Sequence, residues 1–182
     1  MENYTMRVVA HSKFAKGMHA DWVAFYNNQA VNRASFTTEE TLGIANDGEV
    51  LFTWEVTDFD QLSKHGADPE IQAHIARMQE TASVYQAHDL QDDDGPGLYF
   101  GIFTFENESA EEWIKVWSTD EKRLTRNEVF AIVDDHSVAV LVEGTGTPEQ
   151  VAAHLERPEV KEHVTRINEQ ARIWRLEPLE LD

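Results

Sequence analysis

The chain has 182 residues, enough for one medium-sized domain or two small ones, and 41% of them are hydrophobic, including 9 Phe, 5 Trp and 4 Tyr. Its 34 acidic and 15 basic residues give a formal charge of −19. This charge argues against nucleic acid and anionic membranes as partners, because such binders present a basic surface. The lack of cysteine excludes disulfides and thiolate chemistry.

The start of the chain shows no apolar segment typical of a secretion signal, and no apolar run is long enough to cross a bilayer. We therefore expect a cytoplasmic protein without a membrane partner.

In chain order, the first half predicts strand, helix, strand, strand, helix, strand. Apolar residues at helical spacing mark the helices, and Asn-Asp-Gly marks the turn of a hairpin. The segments are MRVVAHSKF, HADWVAFYNNQ, Thr41–Ala45, Val50–Val56, a helical stretch in two parts (Asp58–His65 and Pro69–Gln79), and ASVYQAHDL.

The second half predicts the same order of elements. Its segments are LYFGIFTFE, Ala110–Asp120, Asn127–Val133, Val138–Glu143, a helical stretch over Pro148–Glu169, and RIWRLEPL. Between the halves, QDDDGPG is typical of a turn-rich linker. The predicted organisation is a first repeat over residues 1–90, a linker over 91–97 and a second repeat over 98–182.

The two halves also share residues at matched positions, as a tandem duplication predicts. Pro69 and Pro158 are 89 residues apart, and at this shift His74 meets His163. Further matches and apolar replacements extend through Glu80/Glu169 and Val84/Ile173. We interpret the chain as two copies of one β-α-β-β-α-β unit.

That order is typical of a ferredoxin-like unit, an antiparallel sheet with both helices on one face. The strand LYFGIFTF is apolar on both faces, so the second face also needs cover. A sheet from the other repeat can supply it. The predicted fold is therefore α+β, two ferredoxin-like repeats whose sheets face each other as an α+β barrel.

With its duplicated β-α-β-β-α-β pattern and VLFTWEVTDFDQLSKH followed by a helix starting DPE, the chain resembles the dimeric α+β barrel superfamily, with two repeats fused. That superfamily includes cofactor-independent monooxygenases, isomerases and cyclases, haem-binding peroxidases and chlorite-decomposing enzymes. The resemblance implies an apolar cavity between the sheets and leaves the reaction open.

His11 is the predicted acid–base residue, because the first strand is where the repeats differ in chemistry. Aligning Trp22 with Trp113 places His11 opposite Ile102 and Lys13 opposite Thr104. A histidine titrates near neutrality, which suits proton transfer. The competing interpretation places His11 at a barrel mouth or an interface.

Four further residues complete the predicted site. Glu55 ends a strand and could serve as a base or orient a histidine, although a strand-end glutamate in water is the simpler interpretation. Lys13, Trp54 and Tyr99 are predicted ligand-binding residues, with core packing as the alternative for the aromatic pair. His74 and His163 lie within the apolar stripes of their helices, so we expect them to belong to the scaffold, away from the cavity.

The chain lacks metal-ligand spacings, a phosphate-binding loop and a serine-hydrolase elbow, so we expect no metal and no nucleotide. The predicted function is a small-molecule enzyme without a cofactor: an isomerase, cyclase or monooxygenase. The alternatives are a non-catalytic ligand-binding or assembly protein and a haem-binding protein. The expected partners are a small-molecule ligand and a second copy of the chain in a homodimer.

Overall fold

A computed structural model of the chain describes residues 5–180. Its eight strands are β1 (Met6–Lys13), β2 (Thr37–Asn46), β3 (Glu49–Val56), β4 (Thr81–Asp89), β5 (Gly97–Thr104), β6 (Thr125–Asp134), β7 (Ser137–Gly144) and β8 (Gln170–Pro178). Its helices are α1 (His19–Asn28), α2 (Ala30–Arg33), α3 (Phe59–Gly66), α4 (Pro69–Met78), α5 (Ala110–Ser118), α6 (Pro148–Leu155) and α7 (Pro158–Arg166).

The hydrogen-bonded strand order, β1-β3-β2-β6-β7-β5-β8-β4, is closed, which confirms the predicted α+β barrel. The chain divides into two compact units, Met1–Gln86 with Pro178–Asp182 (unit 1) and Ala87–Glu177 (unit 2). The order of elements predicted for each half is present. The repeat boundaries 1–90, 91–97 and 98–182 stay a prediction.

Local sequence signals explain where several helices begin. Asp68 accepts a hydrogen bond from the backbone N–H of Glu70 at 2.8 Å, and Pro69 occupies the first turn of α4, where its missing N–H is harmless. Capping boxes start α5, with Ser109 and Glu112, and α6, with Thr147 and Gln150.

The helical stretch predicted over Pro148–Glu169 is divided into α6 and α7. Pro158 begins the second of these helices, and Arg157 before it has an extended ψ of 130°. Proline disfavours the helical conformation in the residue that precedes it and cannot continue the hydrogen-bond ladder. The break therefore follows from one residue, as it does at Pro69 in unit 1.

Both hairpins are longer than predicted. β2 begins at Thr37 because its polar start pairs with β3, with Thr37 opposite Val56. β6 likewise begins at Thr125, opposite Gly144 of β7. Backbone pairing with an apolar neighbour extends a strand into residues whose own composition does not favour one.

In each unit, a buried tryptophan joins the first helix to the sheet. Trp22 stacks on Phe14 with ring centroids 5.5 Å apart, and Trp113 stacks on Phe105 at 5.6 Å. Val8, Ser12 and Phe14 lie on the face of β1 that carries the helices, whereas His11 and Lys13 alternate onto the other face. This alternation decides which residues of β1 can reach a site beneath the helices.

Candidate functional site

Unit 1 contains a cavity of about 520 Å³ between its sheet and its helices, within the size range of small-molecule sites. We call it the unit-1 pocket. The sheet contributes Val8, Ala10, Ser12, Phe52, Trp54, Ala82 and Val84. The helices and their connections contribute mainly Trp22, Phe25, Tyr26, Gln29, Arg33, Leu62, His65, Ile71, His74, Ile75 and Glu80.

One wall of the pocket is aromatic. Trp22 stacks on Tyr26 with centroids 5.3 Å apart, Phe52 lies 5.0 Å from Trp54, and Tyr26 lies 5.7 Å from Phe52. Such a surface favours a flat apolar ligand, because ring faces contribute both buried area and stacking geometry.

His74 is a buried titratable group that lines the same pocket. It is 6% exposed and stacks flat on Phe25, with ring centroids 3.8 Å apart. Its Nδ1 has no hydrogen-bond partner within the described residues. Burial, with help from the positive charge of Arg77, lowers the pKa of His74, so the neutral imidazole dominates at neutral pH.

Glu80 places a carboxylate beside this imidazole. Its Oε2 lies 4.0 Å from Nε2 of His74 and accepts a hydrogen bond from Nε1 of Trp22 at 3.0 Å. A carboxylate at this distance stabilises the imidazolium that forms when His74 takes up a proton. The pair therefore has the arrangement of a general base with an electrostatic partner.

The other side of the pocket is held by a buried arginine. Arg33 is 2% exposed, its Nε donates to Glu40 at 2.9 Å, and its guanidinium lies 3.7 Å above the Tyr26 ring. Trp54 Nε1 donates to the Tyr26 hydroxyl at 2.8 Å. Burial raises the pKa of Tyr26 to about 12, so the phenol keeps its proton and can donate it in a hydrogen bond.

Two further polar groups line the pocket. Ser12 is fully buried, and its hydroxyl has no hydrogen-bond partner within the described residues. His65 lies near Arg33, and burial followed by that charge lowers its pKa. An unpaired buried hydroxyl is unfavourable until a ligand atom pairs with it.

The structure separates the residues predicted from the sequence. Trp54 lines the unit-1 pocket, whereas His11, Lys13 and Glu55 lie on the opposite face of the sheet and outside that lining. Tyr99 belongs to unit 2. The catalytic roles of His11 and Glu55, and the ligand-binding roles of Lys13 and Tyr99, stay predictions, as does a cavity between the sheets.

Three of these residues, His11, Glu55 and Tyr99, have polar partners of their own. His11 Nε2 lies 2.6 Å from Glu49 Oε1, and Arg7 Nη2 lies 3.4 Å from Glu55 Oε2. Although burial by itself raises the pKa of Glu49, its hydrogen bonds with His11 and Asn46 hold that pKa below its ordinary value. The Tyr99 hydroxyl donates to the backbone carbonyl of Gly95 and accepts from Arg175.

Sequence reasoning missed His74 and Ser12. It placed the α4 histidine in the scaffold, away from a cavity between the sheets, and did not anticipate a pocket on the helical side of the sheet, which His74 lines. The available signal was the replacement of Ser12 by Phe103 in the second repeat, which changes side-chain volume on the helical face.

Glu169 of unit 2 is the counterpart of Glu80 and gives a pH-dependent prediction. Trp113 Nε1 donates to its Oε2 at 2.8 Å, and burial raises its pKa, with Glu108 contributing in the same direction. A carboxyl whose folded pKa is raised contributes stability below its unfolded pKa, and that contribution is lost as pH rises through the folded pKa.

We therefore expect Glu169→Gln to raise the melting temperature at pH 7 and to give a much smaller gain at pH 4. The exposed Glu111→Gln is the matched control, and thermal unfolding followed by circular dichroism is the measurement. An equal gain at both pH values would contradict buried ionisation as the cause.

Among residues 5–180, no group of three or more histidine, aspartate or glutamate side chains is placed to hold a metal ion. In the same part of the chain, no helix is long and apolar enough to span a membrane. The expectation of no cofactor, and the alternative of haem, stay predictions.

No protein-family model and no curated protein matches the chain. Similar solved structures include a candidate monooxygenase from Fusobacterium nucleatum (11% identity, TM-score 0.38, 99% of this chain and 94% of that chain) and another from Lactobacillus acidophilus (9%, 0.38, 98% and 99%). An anthrone oxidase-like protein is a third (11%, 0.34, 94% and 91%). At TM-scores below 0.5, these similarities assign neither a family nor a reaction to this chain.

Proposed function

We propose that the unit-1 pocket is the active site of a small-molecule enzyme, in which His74 removes a proton from a flat, apolar, weakly acidic compound. The observation that supports this most strongly is a buried imidazole with a lowered pKa, a free Nδ1 and a carboxylate 4.0 Å from its other nitrogen. A base of this kind is competent at neutral pH because it is already unprotonated.

The step begins with the ligand against the aromatic wall. Nδ1 of His74 is enclosed by protein, so the imidazole turns to bring this nitrogen to the acidic C–H or O–H of the ligand. The bond to hydrogen breaks, the proton joins Nδ1, and the electron pair moves onto the ligand, reaching a carbonyl oxygen where one is conjugated. Glu80 stabilises the imidazolium. The hydroxyls of Tyr26 and Ser12 can donate hydrogen bonds that stabilise the negative charge developing on the ligand oxygen.

This proposal keeps the reaction classes expected from the sequence and changes the residue that carries them. Isomerisation, cyclisation and cofactor-independent oxygenation can each start from a deprotonated ligand. The shared order of elements in the two units also supports a tandem duplication of a dimeric α+β barrel superfamily repeat. A homodimer and a cytoplasmic location belong to the same proposal.

Exchange of an acidic C–H for deuterium tests proton abstraction without knowledge of the natural substrate. 2-Tetralone is a suitable probe, because it joins a flat aromatic ring to a ketone with acidic neighbouring protons. In D₂O, the chain should speed the loss of the C1–H proton signal in NMR spectra. The rate should rise with pH through the pKa of His74 and level off by neutrality, because protonated histidine is not a base.

A probe that quenches tryptophan fluorescence, and so binds, but exchanges no faster than with free imidazole at the same pH would contradict proton abstraction. That result would favour the second candidate function, ligand binding without chemistry, which the pocket itself supports. A Soret band on addition of haem would instead favour the haem alternative. A neutral histidine such as His74 is a common ligand of haem iron.

A further inference from the structure

The two units share a tryptophan and a glutamate that line the unit-1 pocket. Trp22 donates to Glu80 at 3.0 Å, and Trp113 donates to Glu169 at 2.8 Å. Both tryptophans stack on the phenylalanine that directly follows the first strand of their unit. Unit 2 therefore retains the framework of a pocket.

The first difference lies on the floor of that framework. Where unit 1 has Ser12, unit 2 has Phe103, 91 positions later. The Phe103 ring lies 4.9 Å from Trp113 and extends over Gly101, where an added Cβ would meet its Cε2 at 2.6 Å. Because Ser12 lines the unit-1 pocket, a ring at the matched position adds side-chain volume to the floor, and the glycine beneath provides room for that ring.

The second difference concerns the histidine. Glu108 stands where unit 1 has Gly17, again 91 positions apart, and its Oε2 lies 3.0 Å from Nε2 of His163. Arg166 approaches the same carboxylate at 3.7 Å. Arg166 Nη2 also lies 3.1 Å from Nδ1 of His163, whereas Nδ1 of His74 has no hydrogen-bond partner within the described residues.

We propose that unit 2 contains a filled copy of the unit-1 pocket, in which the Phe103 side chain occupies the ligand's place and Glu108 engages the histidine. Each unit then has the framework of this pocket, and of these two frameworks the one in unit 1 is open to a ligand. This inference concerns binding and holds whether or not His74 performs chemistry. It assigns to unit 2 a latent site for the same flat, apolar class of compound.

Both differences act in the same direction, although they arise from separate parts of the chain. A larger side chain on the floor excludes a ligand by volume, and Arg166, which pairs with Glu108, occupies the Nδ1 nitrogen that has no partner in His74. Random divergence of the second copy after duplication would not require both substitutions, and it would not require Gly101 beneath the Phe103 ring.

The test counts binding sites in the full chain by calorimetric titration with 2-tetralone. Wild type should bind one equivalent, Ser12→Phe should bind at least tenfold more weakly, and Phe103→Ser should bind two. The double variant Ser12→Phe/Phe103→Ser should return to one equivalent, now in unit 2. Ile102→Ala, on the opposite face of β5, removes apolar volume without opening the pocket and should stay at one.

The proposal is overturned if a folded Phe103→Ser variant still binds one equivalent and does so again when Glu108→Gly is added. If that variant does not fold, Ser12→Phe decides, and wild-type affinity in a folded Ser12→Phe protein would overturn it equally. Because every readout is a stoichiometry or an affinity, failure of proton abstraction in the exchange assay would leave this result unaffected.

Discussion

Replacing His74 with glutamine is expected to lower the rate of 2-tetralone exchange by about 10²- to 10⁴-fold, the contribution usual for a positioned general base. Glutamine keeps the approximate length and polarity of the side chain but cannot take up a proton near neutral pH. Probe affinity, measured by fluorescence quenching, should change much less than the rate. This separation of rate from binding distinguishes a base from a packing residue.

The duplication supplies a matched control. His163→Gln changes the corresponding histidine of α7, which Glu108 engages, and should leave the exchange rate within about twofold of wild type. His11→Gln tests the residue that the sequence favoured. A large loss in His11→Gln, with His74→Gln unaffected, would reverse the assignment and restore β1 as the source of the base.

Arg33→Met is expected to lower the free energy of unfolding by about 3 kcal/mol, the lower end of the effect of breaking a buried ion pair. Arg33 is 2% exposed, whereas the Glu40 side chain is 28% exposed and partly solvated after the change. The substitution also removes the cation above the Tyr26 ring and the donor to the Tyr26 carbonyl. Chemical denaturation is the measurement.

Unit 2 again provides the comparison. Arg123 donates to Glu128 at 2.7 Å with a 39% exposed side chain, so Arg123→Met should change stability by only about 0–1 kcal/mol. Adding Glu40→Gln to Arg33→Met should recover part of the loss, because it removes the carboxylate left without its partner. Equal effects of the two arginine substitutions would show that burial does not strengthen the Arg33 pair.

The sequence predicted the elements well, because their signals are local. Alternating apolar residues identify the strands, Asn-Asp-Gly identifies a turn, and Asp68 with Pro69 identifies a helix start. It failed at Pro158, where a single proline ends one helix and begins the next, although the pattern of apolar residues continues across it.

The faces of β1 were also predictable, whereas the face that lines a pocket was not. Alternation assigned His11 and Ser12 to opposite faces, and this is what the structure shows. The choice between them depends on how far α1 and α4 stand from the sheet, a distance set by packing among side chains far apart in sequence. His11 offers acid–base chemistry that Ser12 lacks, but the cavity lies on the Ser12 face of the strand.

By itself, the sequence determined the repeated order of strands and helices and the α+β barrel, because periodicity and turn residues act over a few positions. Only the tertiary structure decided that His74 lines a cavity while His163 is engaged by Glu108. Both histidines occupy the same place in the helical pattern. They differ because the Phe103 side chain packs against Trp113 of α5 and the Glu108 carboxylate lies beside His163 of α7. These contacts form only after the chain folds.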